Sequence, residues 1–139
     1  MVNTIIKNRI AVRKFTADSV SDDEIKNLIE AFQNLPCGMH QPDVMNLVVV
    51  KDKELRAEIE KVTGNSCYGA PVLFLINTKK DNMFGERDAS AAAENIMLEA
   101  TDMGLGSVYV MGGAVKLNDF VDIQKELGIA PDFETTVIV

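Results

Sequence analysis

The segment DASAAAENIMLEATDMGLGSVYVMGG, residues 88–113, carries the strongest structural pattern in the chain. Its first part predicts a long helix over Asp88–Met103, because Gly104 follows at a position where glycine commonly ends a helix. The small residues Ser90–Ala93 would let another backbone approach this helix closely, either inside the domain or from a partner chain. The second part predicts a strand over Ser107–Val110.

Glycines flank this predicted strand on both sides. Gly104 and Gly106 leave a helix, whereas the glycines of a dinucleotide-binding fingerprint enter one, so they predict only a tight turn. Gly112 and Gly113 follow the strand, where glycines allow a flat ligand to approach the backbone. A flexible turn without a ligand explains this pair equally well, and the pattern alone leaves both interpretations open.

Helices and strands alternate along the rest of the chain. Helices are predicted over residues 4–8, from the capping box at Ser21, over residues 52–62 and from Asn118 to Leu127, and strands over residues 46–51, 72–77 and 135–139. This alternation alone favours a doubly wound parallel sheet, with a mixed α+β sheet as the alternative. Because the 139 residues contain no repeat or linker, a single domain over residues 1–139 is expected.

The composition argues against several classes of function. The formal net charge is −7, which disfavours nucleic acid and anionic lipid as partners. Two cysteines and one histidine do not supply the ligands of a structural zinc site, so no metal site is predicted. No apolar run is long enough to span a membrane and no signal peptide is recognisable, so a cytoplasmic location is expected.

A basic cluster near the N-terminus stands out in this acidic chain. Arg9 and Arg13 lie four residues apart and Lys14 follows directly, within a segment that is expected to be extended or looped. Such arginines can surround a phosphate with charge-assisted hydrogen bonds. On charge alone, a solvated basic loop is the simpler interpretation.

The segment PCGMHQP, residues 36–42, predicts an irregular loop because it combines two prolines with a glycine. Cys37 and His40 could in principle form a nucleophilic pair. No third residue that would orient the histidine is evident, so a structural turn is the preferred interpretation.

In order and spacing, these segments resemble the FMN-dependent nitroreductase family. RIAVRKF resembles the family's opening RRSVRxF, PCGMHQP its P-S-G-M-N-x-Q-P-W loop and GAPVLFLI its AP-plus-strand segment, while residues 88–113 resemble its central helix and following strand. The similarity runs from about Asn3 to Val139. It implies an α+β fold with a mixed, mainly antiparallel sheet flanked by helices, in place of the parallel sheet. It also implies an intertwined homodimer with two FMN sites at its interface.

The resemblance assigns residues to the FMN site. Arg9 and Arg13 would hold the phosphate and ribityl chain, and backbone contacts would come from Ile10 and Ala11. The amides of Met111 and Gly112 would lie near flavin N5 and O4. The site of the partner subunit would be completed by the loop residues Pro36, Cys37, Gly38, Met39, His40 and Gln41. No side chain is expected to act as a catalytic acid or base.

The implied activity is that of an FMN-dependent oxidoreductase, which passes a hydride from NAD(P)H through bound flavin to a nitroaromatic, quinone or similar acceptor. Departures from the family pattern leave a flavin-binding or degenerate dimeric scaffold protein, with little or no turnover, as the alternative. Ala11 and Cys37 replace serines, His40 replaces asparagine and Glu94 replaces glutamine. The sequence ends at Val139 in an apolar run, so the family's C-terminal extension, with its basic pair for the phosphate, is expected to be lacking. FMN would then be held weakly.

Overall fold

The computed structural model describes residues 1–139 as six α-helices, two 3₁₀ turns and three strands. In chain order these are α1 (Thr4–Asn8), α2 (Asp22–Gln33), the 3₁₀ turns Gly38–His40 and Pro42–Val44, β1 (Met45–Val50), α3 (Lys53–Thr63), β2 (Leu73–Lys79), α4 (Gly85–Asp102), α5 (Gly112–Leu117), α6 (Val121–Glu126) and β3 (Phe133–Ile138). None of the helices is both long and apolar enough to cross a membrane.

The sheet is antiparallel, with β2 in the centre between β1 and β3. This confirms the mainly antiparallel α+β fold that the resemblance implied, and the doubly wound parallel sheet is wrong. After a helix, the next strand can start at the end of the sheet where the previous strand began, which makes the two strands parallel. It can also start at the end where the previous strand stopped, which makes them antiparallel. The order of elements does not distinguish the two directions, so the pattern of helices and strands did not determine the strand orientation.

Side chains of β2 alternate between two apolar layers, because successive residues of a strand point to opposite faces. Leu73 and Leu75 join the core formed with α3, α5 and the segment around Val108. Phe74 and Ile76 join the core formed with α2 and α4. Both faces of the sheet are therefore covered by helices, and each residue from Leu73 to Thr78 is buried.

The alanines of α4 pack against the sheet of their own chain. Ala89, Ala92 and Ala93 are fully buried and belong to the same apolar layer as Phe74 and Ile76. Of the two roles open for the small residues of this helix, close approach inside the domain is therefore the one that these three alanines fulfil. The helix begins at Gly85, three residues before the predicted start at Asp88.

The local signals at helix ends are mostly confirmed. Ser21 and Glu24 form the predicted capping box at α2, with hydrogen bonds of 3.2 and 2.7 Å. Asp52 caps α3 by accepting a hydrogen bond from the Leu55 amide, and Gly64 ends that helix in the left-handed conformation. A hydrogen bond from Lys51 holds the pKa of Asp22, at the start of α2, below its ordinary value.

The prediction of one helix from Asn118 to Leu127 is wrong, because Asn118 ends α5 and a separate short helix, α6, follows. The Asn118 amide is committed to β3: its Nδ2 donates to the Thr135 carbonyl at 2.9 Å, and its Oδ1 accepts from the Thr135 N–H at 2.8 Å. Gln124 of α6 donates to the same Oδ1 at 2.7 Å. The sequence pattern around Asn118 predicts only a helix cap, because it does not show that this side chain joins two elements to a strand.

The predicted strand Ser107–Val110 forms two isolated bridges instead of a continuous ladder. Ser107 pairs in parallel with Ala11, and its carbonyl accepts the Val12 N–H at 2.9 Å. Val110 pairs antiparallel with Ile138 through hydrogen bonds of 2.8 and 3.0 Å. The segment has different partners at its two ends, so it links the N-terminal segment to β3, and the parallel bridge makes the strand pairing mixed.

We predict that Asn118→Ala lowers the free energy of unfolding by about 2–4 kcal/mol, because it leaves both backbone groups of Thr135 without partners at a part-buried site. Urea denaturation followed by circular dichroism measures this change. The control is Asn34→Ala, which removes an exposed amide that bonds only within its own helix. Equal, small losses in the two variants would contradict the structural role of Asn118.

Candidate functional site

The basic N-terminal segment is held in place by backbone hydrogen bonds at two points. Arg9 follows α1, and its N–H bonds to the Ile5 carbonyl at 3.0 Å. The bridge between Ala11 and Ser107 fixes the segment two residues later. Between and beyond these points Ile10 and Arg13 are exposed, and Arg13 takes part in no ion pair. Apart from the bridge at Ala11, residues 9–16 belong to no helix or strand, in agreement with the expected extended or looped segment.

Arg9 has an acidic partner on the central helix. Its Nε lies 3.5 Å from Oε1 of Glu94, and the two side chains are 32% and 46% exposed. The family resemblance marks Glu94 only as a glutamate where the family pattern has glutamine. The residues are far apart in the chain, so no local pattern could have shown that they meet.

Met111 and Gly112 lie at the exposed start of α5, directly after the bridge between Val110 and Ile138. A Cβ atom added to Gly112 would meet no atom within 4 Å, so the space beside its backbone is open. Gly113 differs, because a Cβ atom there would clash with Oγ of Ser66. The first glycine of the pair therefore leaves room on the surface, while the second is required by packing.

The packing behind Gly113 comes from the turn over residues 64–69. Glu60 holds this turn by accepting the N–H groups of Cys67 at 2.8 Å and Gly69 at 3.3 Å. Burial, reinforced by the Glu60 carboxylate, raises the pKa of the Cys67 thiol to about 12. Cys67 therefore stays neutral at physiological pH and serves as a core residue, not a nucleophile.

The loop over residues 36–42 is anchored to the first turn of α4. The Gly38 N–H donates to Oδ2 of Asp88 at 2.9 Å, and this carboxylate is buried. Met39 and His40 have positive φ angles of 55° and 52°. The sequence predicts Asp88 only as the start of a helix. Its contact with Gly38 joins residues 50 apart in the chain, so no local pattern indicated it.

The geometry does not support a nucleophilic pair in this loop. The side chains of Cys37 and His40 form no hydrogen bond with each other, and Cys37 is a half-buried free thiol. The anchor Asp88 precedes Glu94 by six residues, which corresponds to about 9 Å along a helix and a different face of it. Within one chain, the structure therefore places the loop apart from Arg9.

The predicted site residues thus fall into two groups. Arg9, Ala11 and the segment leading to Met111 are joined through Ser107, whereas the loop residues are held separately at the start of α4. A cavity of about 410 Å³ lies next to the first group and is lined in part by Val12, Ser107 and Val110. Its walls are mainly apolar and include neither Arg9 nor Arg13. The candidate site is therefore the open surface outside this cavity. No group of three or more His, Cys, Asp or Glu side chains is arranged to hold a metal ion.

Comparison with known proteins assigns the chain to a family. The model of the nitroreductase family matches residues 6–67 and 60–139, which together span nearly the whole chain. The protein belongs to the nitroreductase family. This class was the one indicated by the order of RIAVRKF, PCGMHQP and residues 88–113.

Individual relatives are distant. An NADPH-dependent oxidoreductase of Staphylococcus saprophyticus is 26% identical over 132 residues, covering 78% of this chain and 52% of that protein. An NADPH-flavin oxidoreductase of Vibrio harveyi is 29% identical over 130 residues, covering 80% of this chain and 53% of that protein. The chain spans about half the length of these curated relatives.

A similar fold is found among solved structures. A nitroreductase with bound FMN from Bacteroides fragilis superposes with a TM-score of 0.90 at 20% identity, covering 99% of this chain and 86% of that chain. At this identity the likeness concerns the fold. It agrees with the antiparallel sheet and covering helices described above.

We predict that Gly113→Ala destabilises the protein by about 1–3 kcal/mol, because the new methyl group overpacks the contact with Ser66. The matched control is Gly112→Ala, where the space is open and alanine is the better helix former, by up to about 1 kcal/mol. Thermal unfolding of both variants measures the difference. A Gly113→Ala protein as stable as Gly112→Ala would show that Ser66 does not restrict this position.

Proposed function

We propose that residues 1–139 form one nitroreductase-like domain that binds FMN on the surface between the basic N-terminal segment and the start of α5. The bridge between Ala11 and Ser107 carries this proposal, because it brings Arg9 and Arg13 beside the segment that leads to Gly112. Family membership supports the choice of ligand, since a relative from Vibrio harveyi is an NADPH-flavin oxidoreductase and the Bacteroides fragilis nitroreductase was solved with bound FMN.

The residues present fit a flat, anionic ligand. Arg13 is exposed and takes part in no ion pair, so its guanidinium can donate to a phosphate. The backbone around Gly112 is open, which leaves room for a planar ring against the amides of Met111 and Gly112. Ala11 offers only its backbone, and Ile10 contributes backbone contacts while its side chain faces outward.

A second copy of the chain would complete the site. Pro36, Cys37, Gly38, Met39, His40 and Gln41 lie apart from Arg9 in one chain, so they would reach the flavin of a partner subunit. Their surroundings are compatible with an interface, because Met39 is among the exposed large apolar side chains, as are Ile10 and Met111. The free thiols of Cys37 and Cys67 are compatible with a reducing compartment, and we propose the cytoplasm.

When bound, FMN would accept a hydride from NAD(P)H and deliver electrons to a nitroaromatic, quinone or similar acceptor. The chain's own contribution would be to orient the flavin and to exclude water from it. Arg13 would hold the phosphate end, the Met111 and Gly112 amides would face the ring, and the partner loop would cover it. No side chain of the site is assigned a proton transfer.

One observation favours the alternative of a flavin-binding or degenerate scaffold with little turnover. Glu94 pairs with Arg9, so part of the positive charge expected for the phosphate is already neutralised. Weak retention of FMN would lower activity without abolishing the fold. The experiments below distinguish a turning-over enzyme from this scaffold.

We expect the chain to form a homodimer, because the loop over residues 36–41 can reach a flavin site only on another copy. A stable interface of this kind buries upward of about 2,000 Å². Light scattering on the purified protein at micromolar concentration should give twice the 15.2 kDa mass of one chain. A mass of one chain would contradict the two-chain site.

We expect the protein, supplied with FMN, to oxidise NAD(P)H in the presence of a quinone or nitroaromatic acceptor. The decrease in the absorbance of the reduced nicotinamide measures turnover, and flavin fluorescence measures binding. Gly112→Ala is the informative variant, since its methyl group would enter the proposed flavin space without a steric cost to the fold. Binding without turnover would favour the scaffold, and an absence of flavin binding would refute the proposed function.

A further inference from the structure

We propose that Glu94 sets the flavin selectivity of this site, so that the chain discriminates only weakly between FMN and riboflavin, the flavin without a phosphate. This inference rests on the proposed function, because it assumes that the flavin tail lies beside Arg9. The observation that carries it is the ion pair between Arg9 and Glu94, with 3.5 Å between Nε and Oε1.

Both partners of the pair are held by their backbones. Arg9 is fixed at the end of α1 by its hydrogen bond to Ile5, and α1 packs against α4. Glu94 lies in the middle of α4, where the alanines on the neighbouring face are buried against the sheet. The pair therefore does not depend on a flexible loop and is present before any ligand arrives.

On the proposed function, the flavin tail would bind beside this pair. The side chains of Arg9 and Glu94 are 32% and 46% exposed, so a ligand can approach the guanidinium, but it then also approaches the carboxylate. A flavin phosphate carries about two negative charges at neutral pH. It would share one guanidinium with Glu94 and be repelled by that carboxylate.

Besides Arg9, few basic side chains of this segment are left to bind a phosphate. Arg13 is the one arginine of the predicted phosphate pair without an acidic partner, and Lys14 follows it in the chain. The Glu94 carboxylate, whose Oε1 lies 3.5 Å from Nε of Arg9, should weaken phosphate binding by about fivefold or more, given the strength of charge interactions near a protein surface.

A neutral flavin tail would not be repelled by Glu94. The ribityl end of riboflavin carries hydroxyl groups, which can donate hydrogen bonds to the Glu94 carboxylate and accept them from Arg9. The Glu94 carboxylate would therefore penalise the phosphate and tolerate the hydroxyl groups. The chemical class selected is an isoalloxazine ligand whose tail need not be phosphorylated.

The test compares dissociation constants of FMN and riboflavin by titrating the quenching of flavin fluorescence, with no acceptor or NAD(P)H present. We expect the affinity ratio of FMN over riboflavin to be below about tenfold in the unmodified protein. Glu94→Gln should raise this ratio at least about fivefold by tightening FMN, with riboflavin unchanged or weaker.

Two further variants serve as controls, one for the loss of a negative charge and one for the position of the phosphate. Glu99→Gln removes the same charge from the same helix at a residue that forms no ion pair, and it should leave the ratio unchanged. Arg13→Ala should weaken FMN more than riboflavin, which establishes that the phosphate lies on this side of the site. Melting temperatures of all variants show that each remains folded.

The outcomes separate this inference from the proposed function. If neither flavin binds to the unmodified protein, the proposed function fails and this inference fails with it. If FMN binds and Arg13→Ala weakens it selectively, but Glu94→Gln leaves the ratio unchanged or changes it no more than Glu99→Gln, the function stands and the role of Glu94 is refuted. A strong preference of the unmodified protein for FMN would also refute it.

Discussion

The burial of β2 on both of its faces is the constraint on which the rest of the structure depends. Leu73 and Leu75 point into one apolar layer and Phe74 and Ile76 into the other, so a single strand organises helices on both faces of the sheet. A strand buried on both faces must satisfy its backbone through neighbours on both edges, since unpaired buried N–H and C=O groups are costly. β1 and β3 supply those neighbours.

The candidate site is attached to this strand through a series of backbone contacts. β3 pairs with β2, Ile138 near its end pairs with Val110, and the same segment pairs through Ser107 with Ala11. Each step fixes the next, so the basic segment at the N-terminus is positioned by the centre of the sheet although it belongs to no strand. The register of the sheet is itself held by buried polar contacts, including the 2.8 Å hydrogen bond from Thr135 to Asn77.

The two adjacent glycines at the start of α5 have different surroundings: Gly113 is tightly packed and Gly112 is open to solvent. Gly113 is a glycine because Ser66 leaves no room for a Cβ atom, whereas the space at Gly112 is open. The fold therefore uses one glycine to bring α5 against the turn over residues 64–69, and the other remains available to a ligand. A glycine also lies at a contact between the loop and α4, where the Gly38 N–H donates a hydrogen bond to the buried carboxylate of Asp88.

Charge imposes a second constraint. The chain is acidic overall, so the arginines of the candidate site would have to bind an anion that the rest of the chain repels. Arg13 faces solvent without a partner, but Arg9 is already engaged by Glu94. The strength of an anion site here depends less on how many basic residues the segment contains than on which of them remain free. That distinction requires knowing which helix face lies beside the segment.

The sequence by itself determined the features that depend on neighbouring residues: the capping box at Ser21, the ends of α3 and the basic and glycine-rich segments. It also predicted most of the long helix, which was expected over Asp88–Met103 and is observed over Gly85–Asp102. Its resemblance to the nitroreductase family also predicted the antiparallel sheet, which alternation of helices and strands did not. Tertiary structure alone decided that Asn118 ties β3 instead of starting a helix, that residues 107–110 bridge two partners, and that Glu94 meets Arg9. These features join residues distant in the chain, and a local pattern records a residue's propensity but not the partner that packing brings to it.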